Sequence, residues 1–260
     1  SRQHRYRRDR DIGRDALCES GWHTAIRSRR DPHARLRLSW HRVMVYDRVM
    51  TTSHPRSDLP IILLAAGQSS RMRGCDKLLE KIDGVTLLGL QVRRARAATK
   101  GPVLVALPPA PHPRYAIIKD CDVTHVAVPD AASGMTASLR RALQALPPNT
   151  PAVMILLADL PELETEDLVT VFDAVDLSSD SVVWRGTTSK GAVGHPLVVR
   201  AELFEPLLAL RGDTGGAAVI KQYRNNTVPV ALPGDRALRD LDTPEDWAAW
   251  RAARRAPVGH

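Results

Sequence analysis

Leu59-Pro-Ile-Ile-Leu-Leu-Ala-Ala-Gly-Gln-Ser-Ser-Arg-Met-Arg-Gly-Cys-Asp-Lys77 is the stretch from which the rest of the chain is read. Its first half, Ile61 to Ala66, is an unbroken apolar run rich in branched residues. That predicts a short strand buried on both faces, as in a parallel sheet. The character then changes at once. Gly67 permits a sharp turn with a bare backbone, and Gln68, Ser69 and Ser70 add small polar groups and open N–H donors. Arg71 and Lys77 bring two cations. A buried strand ending in such a loop suits a polyphosphate, which needs close-lying amides and neutralising charge. The Walker pattern does not apply, because Lys77 is preceded by Asp76 and followed by Leu78. An ordinary strand-to-helix connection with solvated charges is the other reading of the same residues.

Working outward, apolar runs alternate with amphipathic stretches. Residues 77–82 read as a short strand and Asp83-Gly84 as a tight turn. Thr86 is expected to cap a helix to about residue 98, with Leu87, Leu90 and Ala97 inward. Residues 103–107 form a second core strand, and 112–119 and 123–128 a helix and a strand. Gly134 opens a helix over 135–146, with Leu139, Ala142, Leu143 and Leu146 on one side. Residues 152–158 are a second fully apolar run and a central strand. Thr165 is expected to cap a helix over 166–175. Residues 181–184, 196–199 and 227–230 read as strands, and 201–208 and 214–223 as helices. A last helix starts at Thr243 or Pro244, with acids in its first turn. This alternation predicts an α/β fold, a single doubly wound domain with a mostly parallel central sheet over residues 59–256.

In such sheets ligands lie beyond the carboxyl ends of the strands. Two ends carry candidate chemistry, Ala66-Gly67 and Ala158-Asp-Leu-Pro161. An acid following an apolar strand is costly unless it is paired or metal-bound. Asp159 therefore reads as a Mg²⁺ ligand holding phosphates, or as a turn cap before Pro161. In Asp240-Leu-Asp242 the two acids share one face of an extended segment. One of them, Asp242 by preference, completes the metal shell, or else Asp242 caps the last helix.

The chain has 260 residues and a formal net charge of +8. Residues 1–58 hold fourteen Arg, no Lys and seven acids, and five of the nine His. The remainder is nearly neutral, with 23 basic and 22 acidic residues, which argues against nucleic-acid binding by the folded part. Residues 1–58 show no sustained period and are expected to be disordered. They read as a basic arm, a targeting peptide, or a segment outside the working protein, which would start at Met44 or Met50. Cys18, Cys75 and Cys121 form no CxxC pair, which argues against a disulfide framework and fits a cytoplasmic protein. No apolar run reaches the roughly 20 residues of a membrane span.

Leu64-Ala-Ala-Gly-Gln-Ser-Ser-Arg-Met followed by Lys77-Leu-Leu resembles the signature of MobA-like nucleotidyltransferases, in particular the molybdenum cofactor cytidylyltransferase branch. Gly134-Met-Thr-Ala-Ser138-Leu, Ala158-Asp-Leu-Pro161, Gly194-His-Pro196, Leu210-Arg-Gly-Asp213-Thr-Gly and Asp240-Leu-Asp-Thr-Pro-Glu-Asp246 follow in the family's order. The resemblance covers residues 59–254. It implies the Rossmann-like nucleotidyltransferase fold and transfer of a nucleoside monophosphate from an NTP to an acceptor phosphate, with release of pyrophosphate. In that picture Ala65, Ala66 and Gly67 lie against base and ribose, and Arg71 and Lys77 hold the phosphates. Gly134 and Ser138 lie near the nucleotide, and Asp159 carries Mg²⁺. Gly194, His195 and the Gly212-Asp213 loop face the acceptor. Ala-Ala-Gly resembles the CTP-using branch, and a methyl at position 66 would narrow the room for a purine. The family's Arg-Met-Gly is here Arg-Met-Arg73-Gly74, one residue longer.

The implied chemistry needs no general base. A phosphate monoester has its second pKa near ~6 and is largely a dianion at neutral pH. The resemblance thus implies CTP as co-substrate, Mg²⁺, a molybdopterin-type acceptor and a molybdoenzyme as the recipient. Two rivals remain: the same fold with GTP or another phosphorylated acceptor, and a non-catalytic module that delivers the cofactor.

Overall fold

The computed structural model describes residues 57–212 and 216–255. The expected N-terminal extension lies outside them, apart from Ser57 and Asp58. Ser57 is already tied to the fold, since Lys100 N and Thr99 Oγ1 both donate to its carbonyl at 2.8 Å.

A seven-stranded sheet runs through the centre in the order β5-β4-β1-β6-β8-β7-β9. Its strands are β1 (Ile61–Leu64), β4 (Val103–Leu107), β5 (Thr124–Ala127), β6 (Ala152–Leu157), β7 (Val183–Thr187), β8 (Val193–Arg200) and β9 (Thr227–Ala231). Only β8 runs against the others, pairing antiparallel with β6 and β7. The strand order therefore reverses between β1 and β6, which leave the sheet side by side. A small hairpin of β2 (Lys81–Ile82) and β3 (Val85–Thr86) turns at Asp83 and Gly84, both at positive φ.

β1 is apolar throughout because the sheet is covered on both faces. Ile61 and Leu63 pack into one layer and Ile62 into the other. The first layer holds α1 (Leu87–Ala98), α4 (Thr165–Asp173) and α7 (Pro244–Arg255); the second holds α3 (Met135–Gln144), α5 (Phe204–Leu208) and α6 (Ala217–Gln222). Full burial of each such side chain contributes about 1.5–3 kcal/mol. The short helix α2 (Pro113–Ile118) follows β4.

Several local expectations are corrected. Ala97 is exposed; the inward face of α1 is Leu87, Leu88, Val92, Ala95 and Ala98, the set that a 3.6-residue period keeps together. Thr165 is the first residue of α4, not its cap. Glu164 and Asp167 close a reciprocal capping box there. Residues 77–79 form a 3₁₀ turn rather than strand. Among the described residues no helix is long and apolar enough to cross a membrane.

Candidate active site

The last rungs of the ladder aim the site. Ala65 N donates to Ala106 O at 2.9 Å and Ala158 N to Leu64 O at 3.2 Å, so Ala66-Gly67 and Asp159 leave the sheet together. α1 steadies the second tip from below: Gln91 Nε2 donates to Leu160 O at 2.7 Å and Arg94 Nη1 to Pro161 O at 2.8 Å. Asp240 and Asp242 arrive from the segment before α7, where buried Leu241 between them anchors the strand-like alternation. Asp242 is not the helix cap. Thr243 and Asp246 cap α7 reciprocally, with Asp246 N donating to Thr243 Oγ1 at 3.1 Å and Thr243 N to Asp246 Oδ2 at 2.9 Å.

These tips bound a cleft of about 460 Å³. Ala65, Ala66, Gly67, Arg71, Lys77, Gly134, Ser138, Asp159 and Asp242 all line it. Lys77 Nζ donates to Asp159 Oδ2 at 2.6 Å and to Asp242 Oδ1 at 2.7 Å. Arg71 meets the other oxygen of Asp242 at 2.6 Å, with most of its own side chain exposed. Burial pulls the Lys77 pKa down, but the two carboxylates outweigh burial and hold it above the ordinary lysine value. Burial pushes Asp242 up, yet Lys77 and Arg71 leave it below the ordinary range. Asp240 goes the other way, raised by burial and by Asp242 and Asp159 beside it. Of the two acids, Asp242 is the one whose ionised form its surroundings favour.

Gly134 sits at φ 96°, a conformation glycine favours, and starts α3 beneath the cleft. Gly67 is not in that region, and a Cβ there would meet nothing within 4 Å. Its bareness opens the cleft rather than the turn. Ala66 is 2% exposed and packs in the core layer with Leu104 and Ala137 while also bordering the cleft.

The loop itself is braced by a residue that sequence reasoning missed. Arg114, 1% exposed, donates to Ala65 O at 2.6 Å and holds both Asp76 oxygens at 2.7 Å. Asp76 in turn accepts from Leu78 N at 3.0 Å, and Ser69 Oγ accepts from Lys77 N at 3.2 Å. The Ser69 hydroxyl thus serves the loop, not a ligand. Burial pushes the Asp76 carboxyl up, and Arg114 with the Leu78 amide and the Ser69 hydroxyl together more than offset this, leaving it below the usual carboxylate range.

A family model described as MobA-like NTP transferase domain matches residues 61–228. The chain belongs to the MobA-like NTP transferase family. The crystal structure of Rv0371c from Mycobacterium tuberculosis H37Rv has a TM-score of 0.65 and 27% identity to this transferase, covering 75% of this chain and 98% of that one. Rv0371c in complex with manganese gives a TM-score of 0.62 and 25% identity, covering 77% of this chain and all of the other. Bifunctional protein GlmU of Kineococcus radiotolerans is 29% identical over 177 residues, 66% of this chain. The match takes in about a third of GlmU, 33% of its length. By fold and family the MobA-like chain is a nucleotidyltransferase.

The residues that the resemblance put on the acceptor side separate. His195 lines a second cavity beside the cleft. Gly194 lines neither; an added Cβ would lie 2.1 Å from Ala237 O, so the glycine lets β8 touch the segment that leads to Asp240. Asp213 lies outside the described residues.

Proposed function

We propose that the protein transfers CMP from CTP to the phosphate of a molybdopterin-type acceptor and releases pyrophosphate. The observation that carries this is the joining of Arg71 and Lys77 to Asp159 and Asp242 at the switch point of the sheet. The preference for CTP and for molybdopterin rests on the resemblance of Ala65-Ala66-Gly67 and the Gly194-His-Pro196 motif to the cytidylyltransferase branch. A molybdoenzyme is the recipient this reading implies.

In the transfer, an oxygen of the acceptor phosphate attacks the α-phosphorus of CTP in line. The bond from that phosphorus to the bridging oxygen breaks, and pyrophosphate carries the electron pair away. Lys77 and Arg71 neutralise the triphosphate as the dianion approaches, which is electrostatic work rather than proton transfer. Amides of the Gly67–Ser70 loop lie against the phosphates. Arg114, by fixing Asp76 and Ala65, holds Lys77 in reach.

Mg²⁺ fits these residues. Asp159 Oδ1 is shielded and has no protein partner among the described residues, an orphaned oxygen beside an ionised Asp242. Among the described residues no group of three or more His, Cys, Asp or Glu is set to hold a metal. Asp159 and Asp242 would hold the ion, with phosphate and water completing its shell as Mg²⁺ prefers. When bound, the ion supplies Lewis-acid stabilisation of the phosphate oxygens. The manganese complex of Rv0371c supports a divalent ion.

The test is pyrophosphate release with Mg²⁺, comparing CTP with GTP and molybdopterin with a sugar phosphate. Release that requires CTP and molybdopterin together is expected. Release with GTP, or with the sugar phosphate alone, would replace this assignment.

A further inference from the structure

Asp159 and Asp242 are already served by cations of the chain itself. Lys77 Nζ stands between them, 2.6 Å from Asp159 Oδ2 and 2.7 Å from Asp242 Oδ1. Arg71 takes the remaining oxygen of Asp242 at 2.6 Å. Only Asp159 Oδ1 is left over, shielded and without a protein partner among the described residues.

The two cations are held differently. The Arg71 side chain is 68% exposed, so water screens its pair and competes for it. The Lys77 side chain is 14% exposed, and those of its acids 22% and 14%. There the attraction is less screened, and an acid stripped of its partner is costly. Lys77 therefore leaves only when another cation takes its place. What fixes this residue is its backbone. Lys77 N donates to Ser69 Oγ at 3.2 Å, Asp76 before it is held by Arg114, and Leu78 after it is buried. The ammonium rides on a flexible four-carbon stem. It can swing toward the Gly67–Ser70 side of the same cleft while the loop stands still.

A divalent ion held by Asp159 and Asp242 needs the oxygens that Lys77 occupies. Mg²⁺ and Mn²⁺ favour carboxylate oxygen, and like charges cannot share one pair of oxygens in a poorly screened cleft. We propose that Lys77 is the resting stand-in for the divalent ion, filling its place between Asp159 and Asp242, and that the ion enters only as Lys77 swings out to the phosphates. This rests on the metal and phosphate roles given under the transfer reading. The ion alone then binds weakly, and ion and triphosphate bind cooperatively, because each clears the way for the other.

The experiment follows Mn²⁺ binding to the full chain by electron paramagnetic resonance, with no nucleotide present. Lys77→Met should bind Mn²⁺ about tenfold or more tightly than wild type, because the acids are freed. Arg71→Met removes the same unit of charge but leaves the bridge, and should gain no more than about threefold. Asp159→Asn added to Lys77→Met should abolish the gain. Equal or weaker Mn²⁺ affinity in Lys77→Met than in wild type would overturn the proposal. So would equal gains from Lys77→Met and Arg71→Met, or a gain that survives Asp159→Asn. If Lys77→Met does not fold, Lys77→Gln takes its place under the same outcomes, since its amide can still donate to one carboxylate. Pyrophosphate release by the wild type, measured in parallel, separates the two readings. An Asp159-dependent gain without release from any nucleotide removes only the transfer reading. Release that needs CTP and molybdopterin, with Mn²⁺ affinity unmoved by Lys77→Met, removes only this one.

Discussion

Lys77 and Asp159, 82 positions apart in the chain, meet at 2.6 Å. Their pairing joins the tip of the loop after β1 to the tip of β6, and the charges of both are held in place before any nucleotide enters. Asp159→Asn should keep the fold by circular dichroism and cut pyrophosphate release by about 100-fold or more. Turnover close to wild type would take Asp159 out of the centre.

Arg114 and Asp76 form a nearly closed ion pair. Arg114→Met leaves a carboxylate without its partner and should cost roughly 3–5 kcal/mol. Asp76→Asn added to Arg114→Met should recover part of that loss. Urea denaturation of the four proteins gives the coupling, and strictly additive effects would show that the pair does not act as a unit.

Gly194 leaves no room for a side chain. Gly194→Ala should destabilise by about 1–3 kcal/mol, because backbone rather than a flexible side chain must move. It should also lower kcat, since the displaced segment carries Asp240 and Asp242. A melting temperature and kcat equal to wild type would show that this segment yields without cost.

His195 gives stability an acid dependence whose sign is fixed by its lowered pKa. The folded ring titrates at about 4 against an ordinary 6.5. Between those values the unfolded chain binds the extra proton, so stability falls as pH drops from 6.5 toward 4. His195→Gln should remove that part of the slope, at most about 3 kcal/mol. Denaturation midpoints at pH 7 and pH 4.5 measure it, and an unchanged slope would place His195 in a wetter site.

The layers of the fold were legible because they depend on local pattern. The apolar runs that became β1 and β6 could only sit between two helical layers, and an acid straight after β6 could only sit at the sheet's edge. What stayed hidden was long-range. Arg114 looks like any arginine in a short helix, and nothing near it in sequence shows that Asp76 and the Ala65 carbonyl await it. Ser69 read as an open donor because its partners Lys77 and Asp76 are brought round by the fold. Gly194 read as a ligand contact because the approach of Ala237, 43 positions on, leaves no trace in the pattern around it. Arg185 carried no motif at all; that its Nε meets the Gly194 carbonyl is set by the pairing of β7 with β8, not by its neighbours in the chain.

Asp242 comes from the stretch between the last strand and the last helix, long after every strand of the sheet has been laid down. During synthesis the strands are therefore all made while the cleft still lacks its ionised acid and the first layer still lacks α7. A chain truncated before Asp242 would retain all nine described strands but lose α7 with its buried Trp247 and Trp250, and would leave Arg71 and half of Lys77 without their counter-charge. Truncation there would open the core and strip the cleft together, so the loss of packing and the loss of chemistry would arrive as one defect.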